Sequence, residues 1–183
     1  MYRNRGRNIL CVFILLISLL TAAGVSNAGE GDTERAGDVL LLLIPAAAYG
    51  TAFFLDDESG KTQFYRSFLT NLGVTLALKF SIDKERPDGS DNRSFPSLHA
   101  SATFQGAAFI QKRYGWRYAI PAYAGAAFTG YSRVHARRHY VVDVAAGAAI
   151  GVLSSYWFTT PYGGTVTPVA GGGFYGLAFS KSW

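Results

Sequence analysis

Basic side chains and histidines cluster in three short stretches of this 183-residue chain, although only 16% of its residues are charged. The stretches are KFSIDKERP, SFPSLHAS and SRVHARRHYVVDV, at residues 79–87, 94–101 and 132–144. Arginine presents a fork of donors that suits phosphate oxygens, and lysine adds a compact positive charge. Histidine can act as a nucleophile or carry a proton near neutral pH. These residue types together predict phosphoryl chemistry.

Several of these groups are suited to hold a phosphate. We expect Lys79, Arg86 and Arg133 to supply fixed positive charge around its oxygens. Pro96 and Ser97 resemble a helix start, which would bring backbone N–H groups and the Ser97 hydroxyl to one point. Because a helix dipole is positive at its N-terminus, an oxyanion is expected there.

Two histidines and an aspartate complete the predicted chemistry. Asp143 follows His139 by one helical turn, so its carboxylate can accept a hydrogen bond from one imidazole nitrogen. The other nitrogen of His139 is then aimed at the substrate as a nucleophile. His99, from another helix, can protonate the leaving oxygen and then take a proton from water. We predict no metal ion and no other cofactor, because bound cations and amides neutralise the phosphoryl charge.

Each residue taken alone has a simpler interpretation. Lys79 and Arg86 could be ordinary interfacial charges whose stems lie along apolar surface. Ser97 could be only a helix cap, and His139 with Asp143 only a structural pair. The combination, rather than any single residue, indicates a reactive site.

Five apolar segments must position these residues. They lie at about 39–55, 64–82, 97–111, 117–131 and 140–158, and strand-like alternation is nearly absent. Small residues recur at 122–130 and 145–151, where they would let helices approach closely. We predict an all-α fold: a bundle of five or six mostly apolar helices, membrane-associated, with a short Gly-rich C-terminal tail.

Charged, turn-forming stretches separate these segments at 56–61, 83–94 and 112–117. Pro87 is predicted to close the helix that carries Lys79, since a residue before proline avoids helical geometry. Two segments separate the loop at 83–96 from the loop at 132–139. An antiparallel bundle therefore brings the three basic stretches to one common end.

The first 28 residues are typical of an export signal. Arg3, Arg5 and Arg7 precede an apolar run, and Ser26-Asn27-Ala28 resembles a cleavage site. The predicted organisation is a signal peptide at 1–28, a phosphatase helical-bundle domain at 29–160 and a Gly-rich tail at 161–183, which could form a strand or hairpin. The alternative for 1–28 is an uncleaved anchor helix. Either version places Gly29 outside the cytoplasm, and spanning segments would then place the common end outside as well.

Composition and charge argue against several other classes of protein. Cleavage after Ala28 would lower the formal charge from +5 to +2, and the remaining basic residues form no stripe with interleaved aromatics, so no nucleic-acid partner is predicted. The only cysteine, Cys11, lies within the signal, so no disulfide is expected. The acidic clusters at 56–58 and 88–91 lack a full set of calcium ligands and are interpreted as solvated turns.

The three stretches resemble the type 2 phosphatidic acid phosphatase family, which shares its site with vanadium haloperoxidases and bacterial nonspecific acid phosphatases. The family pattern has the parts K-x6-R-P, P-S-G-H and S-R-x5-H-x3-D. These parts match, in order and internal spacing, Lys79, Arg86, Pro87, Pro96, Ser97, His99, Ser132, Arg133, His139 and Asp143. Leu98 stands where the family usually has glycine. We expect altered selectivity there, because a side chain restricts the backbone and can crowd the substrate.

The resemblance implies a phosphohistidine on His139, with His99 as acid and then base, and Asp143 as the third catalytic residue. It also implies that phosphate is held by Lys79, Arg86, Ser97, Leu98 through its N–H, and Arg133. The expected activity is that of a metal-independent phosphoric monoester hydrolase acting on a lipid phosphate or pyrophosphate. The expected location is the bacterial inner membrane, with the site facing the periplasm.

Three alternatives remain open at the level of sequence. A soluble or peripheral periplasmic acid phosphatase acting on small phosphomonoesters is favoured by the mean hydropathy of only +0.14. A vanadium haloperoxidase would use the same residues but is usually a much longer chain. A noncatalytic lipid-binding protein could keep the basic pocket but would not need an oriented nucleophile. The sequence selects neither a particular lipid nor an oligomeric state.

Overall fold

The computed structural model describes residues 30–171 and 174–181, with side chains described for 31–163. The predicted signal peptide or anchor helix at 1–28 therefore lies outside the described residues. The division into a domain at 29–160 and a tail at 161–183 stays a prediction.

Five helices make up the described bundle, which confirms the predicted fold class. They are α1 (Glu30–Phe54), α2 (Glu58–Ser81), α3 (Leu98–Tyr114), α4 (Trp116–His135) and α5 (Val141–Phe158). An antiparallel hairpin follows, formed by β1 (Gly164–Gly171) and β2 (Phe174–Lys181). The tail thus forms the hairpin that its alternating residues allow.

Helix α3 is the centre of the bundle and contacts each of the other four helices. Its Phe109 and Ile110 are fully buried and share one apolar cluster with Ile44 of α1, Phe64 of α2 and Ala126 of α4. Burying each large apolar side chain stabilises the folded state by about 1.5–3 kcal/mol. The core therefore fixes α3, whose first turn carries Leu98 and His99.

Two glycines of α5 set its distance from α3. A Cβ atom added at Gly147 would overlap the carbonyl oxygen of Ser97, and one at Gly151 would overlap that of Ser101. The Ser97 N–H donates to the carbonyl of Asp143 at 3.0 Å, so the two helix starts adjoin. The small residues predicted at 145–151 thus act in close helix packing.

Several helix boundaries differ from the predicted ones. Helix α1 begins at Glu30 rather than near residue 39, because its polar first turns carry no apolar signal. Helix α2 begins at Glu58, where the Asp57 side chain accepts a hydrogen bond from Gly60 N at 2.9 Å, so much of the predicted loop 56–61 is helical. Helices α3 and α4 are separated only by Gly115, whose φ of 101° favours glycine.

The prediction that Pro87 closes a helix is wrong. Helix α2 already ends at Ser81, and Arg86 lies in the loop that follows. That loop folds back on itself, since Lys84 N donates to Asn92 O at 3.0 Å and Ser94 N donates to Lys84 O at 2.9 Å. These backbone bonds, rather than the proline, hold the segment in place.

A buried ion pair closes the end of the bundle opposite the start of α3. Arg113 bonds through Nε to Asp57 Oδ2 at 2.7 Å, and its second terminal nitrogen bonds to Oδ1 of the same carboxylate. Arg113 also donates to the carbonyl of Thr160 at 2.8 Å. The pair thus connects the start of α2, the end of α3 and the chain beyond α5.

Among the described residues, two helices are long and apolar enough to cross a membrane by length and composition, at Gly31–Phe54 and Val141–Phe158. Large apolar side chains on both are exposed, including Leu42 at 72% and Trp157 at 84%. Such exposure is unusual for a surface in water and suits contact with lipid.

Candidate active site

A cavity of about 530 Å³ lies at the end of the bundle where α3 begins. Six of the eight predicted site residues line it: Lys79, Arg86, Leu98, His99, Arg133 and His139. The other two, Ser97 and Asp143, are fully buried and are not among the lining residues. The three separate stretches of sequence therefore meet around one space.

Two of the pocket cations come from α2 and the loop after it. Lys79 lies in the last turn of α2, and its Nζ donates to the carbonyl of Arg93 at 2.8 Å. Arg86 Nε donates to Asp91 Oδ1 at 2.7 Å. Burial lowers the pKa of Lys79, and the nearby charge of Arg86 acts in the same direction. The pocket thus concentrates positive charge where it is costly without an anion.

Arg133 is buried near the end of α4 and is held on several sides. Its Nε donates to Ser132 Oγ at 3.1 Å and its Nη1 donates to Asp38 Oδ1 at 2.9 Å, while Nη2 donates to the backbone oxygen of Glu34. Its carbonyl accepts the N–H group of His139 at 3.2 Å. The position of His139 is therefore tied to that of Arg133.

Ser97 acts as a helix cap in this structure. Its Oγ accepts a hydrogen bond from Ala100 N at 3.4 Å, and it is completely buried. The backbone N–H of Ser97 already donates to the Asp143 carbonyl, so this N–H group is not available to a phosphate. Leu98 does line the pocket at the position predicted to affect selectivity.

The predicted hydrogen bond between His139 and Asp143 is not formed. His139 Nδ1 lies 3.9 Å from Asp143 Oδ2, which is beyond hydrogen-bond distance. The carboxylate is bonded instead to Lys84 Nζ at 2.5 Å, Ser94 Oγ at 2.5 Å and Tyr140 N at 2.9 Å. Asp143 thus anchors the start of α5 to the loop between α2 and α3, and it lies beside His139.

Lys84 and Ser94 were missed by the sequence analysis. Lys84 lies 4.7 Å from the ring centroid of Tyr140, in addition to its ion pair with Asp143. In the sequence it is one of several charges in a turn-rich loop, with no spacing that distinguishes it. Ser94 lies just outside the motif that begins at Pro96. Only its hydrogen bond to Asp143 in the structure shows that it belongs to the site.

The surroundings of His139 favour its neutral form. Burial lowers the pKa of this imidazole to about 4, helped by the charges of Lys79 and Arg86 and opposed by the Ser94 backbone and the Asp143 carboxylate. A neutral imidazole has a lone pair available near pH 7. Because Nδ1 faces Asp143, Nε2 is the nitrogen left for a substrate.

His99 lies across the same pocket, in the first turn of α3. Its Nε2 is 2.9 Å from Asp38 Oδ1. Burial lowers the pKa of His99, Arg133 lowers it further, and the Asp38 carboxylate opposes both effects. The two histidines thus have different carboxylates beside them.

The first turns of α1 add acidic groups that the sequence analysis also missed. Glu34 and Asp38 both line the pocket, and Glu34 Oε1 accepts a hydrogen bond from Arg138 Nε at 2.9 Å. Their spacing of four residues, which puts both on one helix face, was the available signal. Glu34 and Asp38 lie in a polar segment that was not predicted to be helical.

No group of three or more His, Cys, Asp or Glu residues in the described parts of the chain is placed to hold a metal ion. The donors around this pocket are mainly cationic, which suits an anion rather than a metal.

A family model described as the PAP2 superfamily matches residues 54–163. The chain belongs to this superfamily. A lipid A 4'-phosphatase of Helicobacter pylori is 30% identical to this PAP2 protein over 176 residues, which cover 86% of this chain and 88% of the relative. A lipid A 1-phosphatase of Porphyromonas gingivalis is 39% identical over 93 residues, covering 48% of this chain and 21% of the relative.

The crystal structure of Aquifex aeolicus LpxE shares the fold of this PAP2 protein. The TM-score is 0.61 at 18% identity, and the match covers 77% of this chain and 92% of that one. These comparisons confirm the family that the sequence motifs predicted, and they confirm the enzyme class, a phosphoric monoester hydrolase.

Proposed function

We propose that this PAP2 protein removes phosphate from a lipid phosphate, with His139 as the nucleophile and His99 as the acid and base. The observation that carries the proposal is the convergence of two histidines and four cations on one cavity, namely His99, His139, Lys79, Arg86, Arg133 and Arg138. The neutral state of His139 and the concentrated positive charge suit attack on a phosphate ester.

The proposed reaction has two steps. His139 Nε2 attacks phosphorus while the bond from phosphorus to the lipid oxygen breaks, and His99 gives its proton to that departing oxygen. Water then attacks the phosphohistidine, His99 takes a proton from the water, and the bond between phosphorus and nitrogen breaks. Phosphate leaves, and both imidazoles return to their starting states.

Lys79, Arg86 and Arg133 would bind the phosphoryl oxygens during both steps. Their present partners include the carboxylates of Asp91 and Asp38. A phosphate would replace part of this pairing, and the fixed guanidinium groups would then stabilise the charge of the transition state without reorganising.

A lipid substrate is supported by exposed apolar residues that are close in sequence to pocket residues. Phe80, next to Lys79, is 65% exposed, and Val141, two residues after His139, is 69% exposed. An acyl chain could lie against such residues while its phosphate enters the pocket. The two lipid A phosphatases among the relatives support the same substrate class.

We further propose that the protein resides in the bacterial inner membrane with this pocket toward the periplasm. The export signal predicted at 1–28 and the two candidate membrane helices support this location. A soluble or peripheral periplasmic phosphatase is the alternative. Mature protein recovered in the soluble fraction without detergent would favour that alternative.

The decisive experiment is a phosphate-release assay over lipid and soluble phosphate esters with purified protein and two variants. His139→Ala should lower turnover by at least about 1,000-fold, because removing a nucleophile leaves only binding and electrostatic catalysis. His135→Ala is the matched control, since His135 stacks on Tyr131 and is not among the pocket-lining residues. Full activity of His139→Ala would reject the proposal.

A further inference from the structure

We infer that Asp38 is a positioning residue of this site, which holds His99 and Arg133 in place and makes α1 a part of the catalytic apparatus. The inference rests on the proposed function and extends it to a part of the chain outside the residues matched by the family model. None of the predicted motifs includes this helix.

The geometry of Asp38 carries the inference. Its Oδ1 lies 2.9 Å from His99 Nε2 and 2.9 Å from Arg133 Nη1. One oxygen thus joins a group on α3 to a group on α4. A carboxylate needed only for solubility would not be held between two buried or half-buried pocket groups.

The packing of α1 fixes Asp38 in this position. A Cβ atom added at Gly37 would overlap Ser132 Oγ and the guanidinium group of Arg133. The absence of a side chain therefore lets the α1 backbone approach α4, where the Glu34 carbonyl also accepts a bond from Arg133. The contacts of Glu34 and Asp38 with Arg133 are one helical turn apart, and together they determine the register of α1 against the site.

The contact with Asp38 decides which nitrogen of His99 can serve the substrate. With Nε2 donating to the carboxylate, Nδ1 is left to give a proton to the departing oxygen and later to receive one from water. The negative charge also favours the imidazolium form that this step requires. The Asp38 charge acts against burial, which disfavours the imidazolium form most, and against the positive charges of Arg133 from α4 and Arg86 from the loop after α2.

Two substrates separate positioning of the acid from a merely structural effect. p-Nitrophenyl phosphate has a good leaving group that needs little protonation, whereas dioctanoyl phosphatidic acid has a poor alkoxide leaving group. Asp38→Asn should lower kcat about 10- to 100-fold on the phosphatidic acid, part of the about 10²–10⁴-fold that a general acid supplies. The loss on p-nitrophenyl phosphate should be several-fold smaller.

The pH dependence gives a second readout. Because Asp38 favours protonated His99, Asp38→Asn should move the basic limb of the kcat/KM profile to lower pH. Asp38→Glu keeps the charge and should leave that limb nearer to its wild-type position. Asp32→Asn is the matched control, since Asp32 lies on the same helix, is exposed, and pairs only with Arg35 among the ion pairs of the described residues.

The results of these assays distinguish the positioning role of Asp38 from the proposed function. Equal losses on both substrates with an unmoved basic limb, or an Asp38→Asn variant indistinguishable from wild type, would overturn the positioning role and leave the proposed function intact. Wild-type protein that releases no phosphate from any lipid or soluble ester of the phosphate-release assay, or an active His139→Ala variant, would reject the proposed function and this inference with it.

Discussion

At the scale of residues, burial acts on both pocket histidines in the same direction. It lowers the pKa of His139 to about 4 and lowers that of His99 below the ordinary histidine value. The proposed roles require opposite states, because His139 must be neutral to attack and His99 must be protonated to act as an acid. The two requirements together favour a mildly acidic medium.

We therefore predict a bell-shaped pH profile of kcat/KM with an acidic optimum. Activity should fall as the pH drops through about 4, where His139 gains a proton. It should fall again at higher pH as His99 loses its proton, and burial, which lowers the pKa of His99, moves this second fall to lower pH than for an ordinary histidine. Steady-state kinetics on the purified protein measure this profile. An optimum on the alkaline side would contradict the assigned roles.

At the scale of elements, the site depends on how closely α5 approaches α3. The start of α5 carries Asp143 and follows His139, and the start of α3 carries His99. Gly147 faces the Ser97 carbonyl without a side chain between them. The separation of the two histidines is thus set partly by glycines that are not in the pocket.

Gly147→Ala should push α5 away from α3 and lower both stability and activity. We expect a loss of about 1–3 kcal/mol in the free energy of unfolding, as for other overpacked interiors, together with a lower kcat. Gly73→Ala is the control, because a Cβ there meets nothing within 4 Å and alanine favours a helix by about 1 kcal/mol. Thermal unfolding and phosphate release of both variants test the prediction, and equal behaviour of the two would contradict it.

At the scale of the whole molecule, the two ends of the bundle use charge differently. At the pocket end the arginines pair with carboxylates that line an open cavity, as Arg133 does with Asp38, whereas at the opposite end Arg113 pairs with Asp57 inside the protein. Both partners are at least 94% buried, so neither charge can be solvated when the other is removed. This pair should therefore matter for stability rather than for catalysis.

Asp57→Asn should destabilise the fold by about 3–5 kcal/mol, because it leaves the buried Arg113 without its counter-charge. Asparagine can still cap α2, so the change isolates the charge. Glu58→Gln is the control, since the Glu58 side chain is 81% exposed and its pair with Lys61 should contribute less than about 1 kcal/mol. Denaturation in detergent compares the stability of the two variants. Similar unfolding midpoints would show that the buried pair is dispensable for stability.

The sequence by itself determined the helical class, the family and six of the residues that line the pocket. These follow from local information: apolar runs of helical length, Ser97 before a helix start, and fixed spacings such as that between Arg133 and His139. Two helices between two loops place both loops at one end of an antiparallel bundle. The export signal and the division into domain and tail remain predictions.

Tertiary structure alone decided which groups pair with the motif residues. Asp38 and Arg133 are 95 residues apart, and Lys84 and Asp143 are 59 apart, so no local spacing connects them. The spacing of four residues predicted a bond between His139 and Asp143, because four residues make about one helical turn. Helix α5 begins only at Val141, however, and the Asp143 carboxylate is bonded to Lys84 and Ser94. Spacing along a chain predicts which residue types meet, whereas packing between helices sets the distances that make a hydrogen bond.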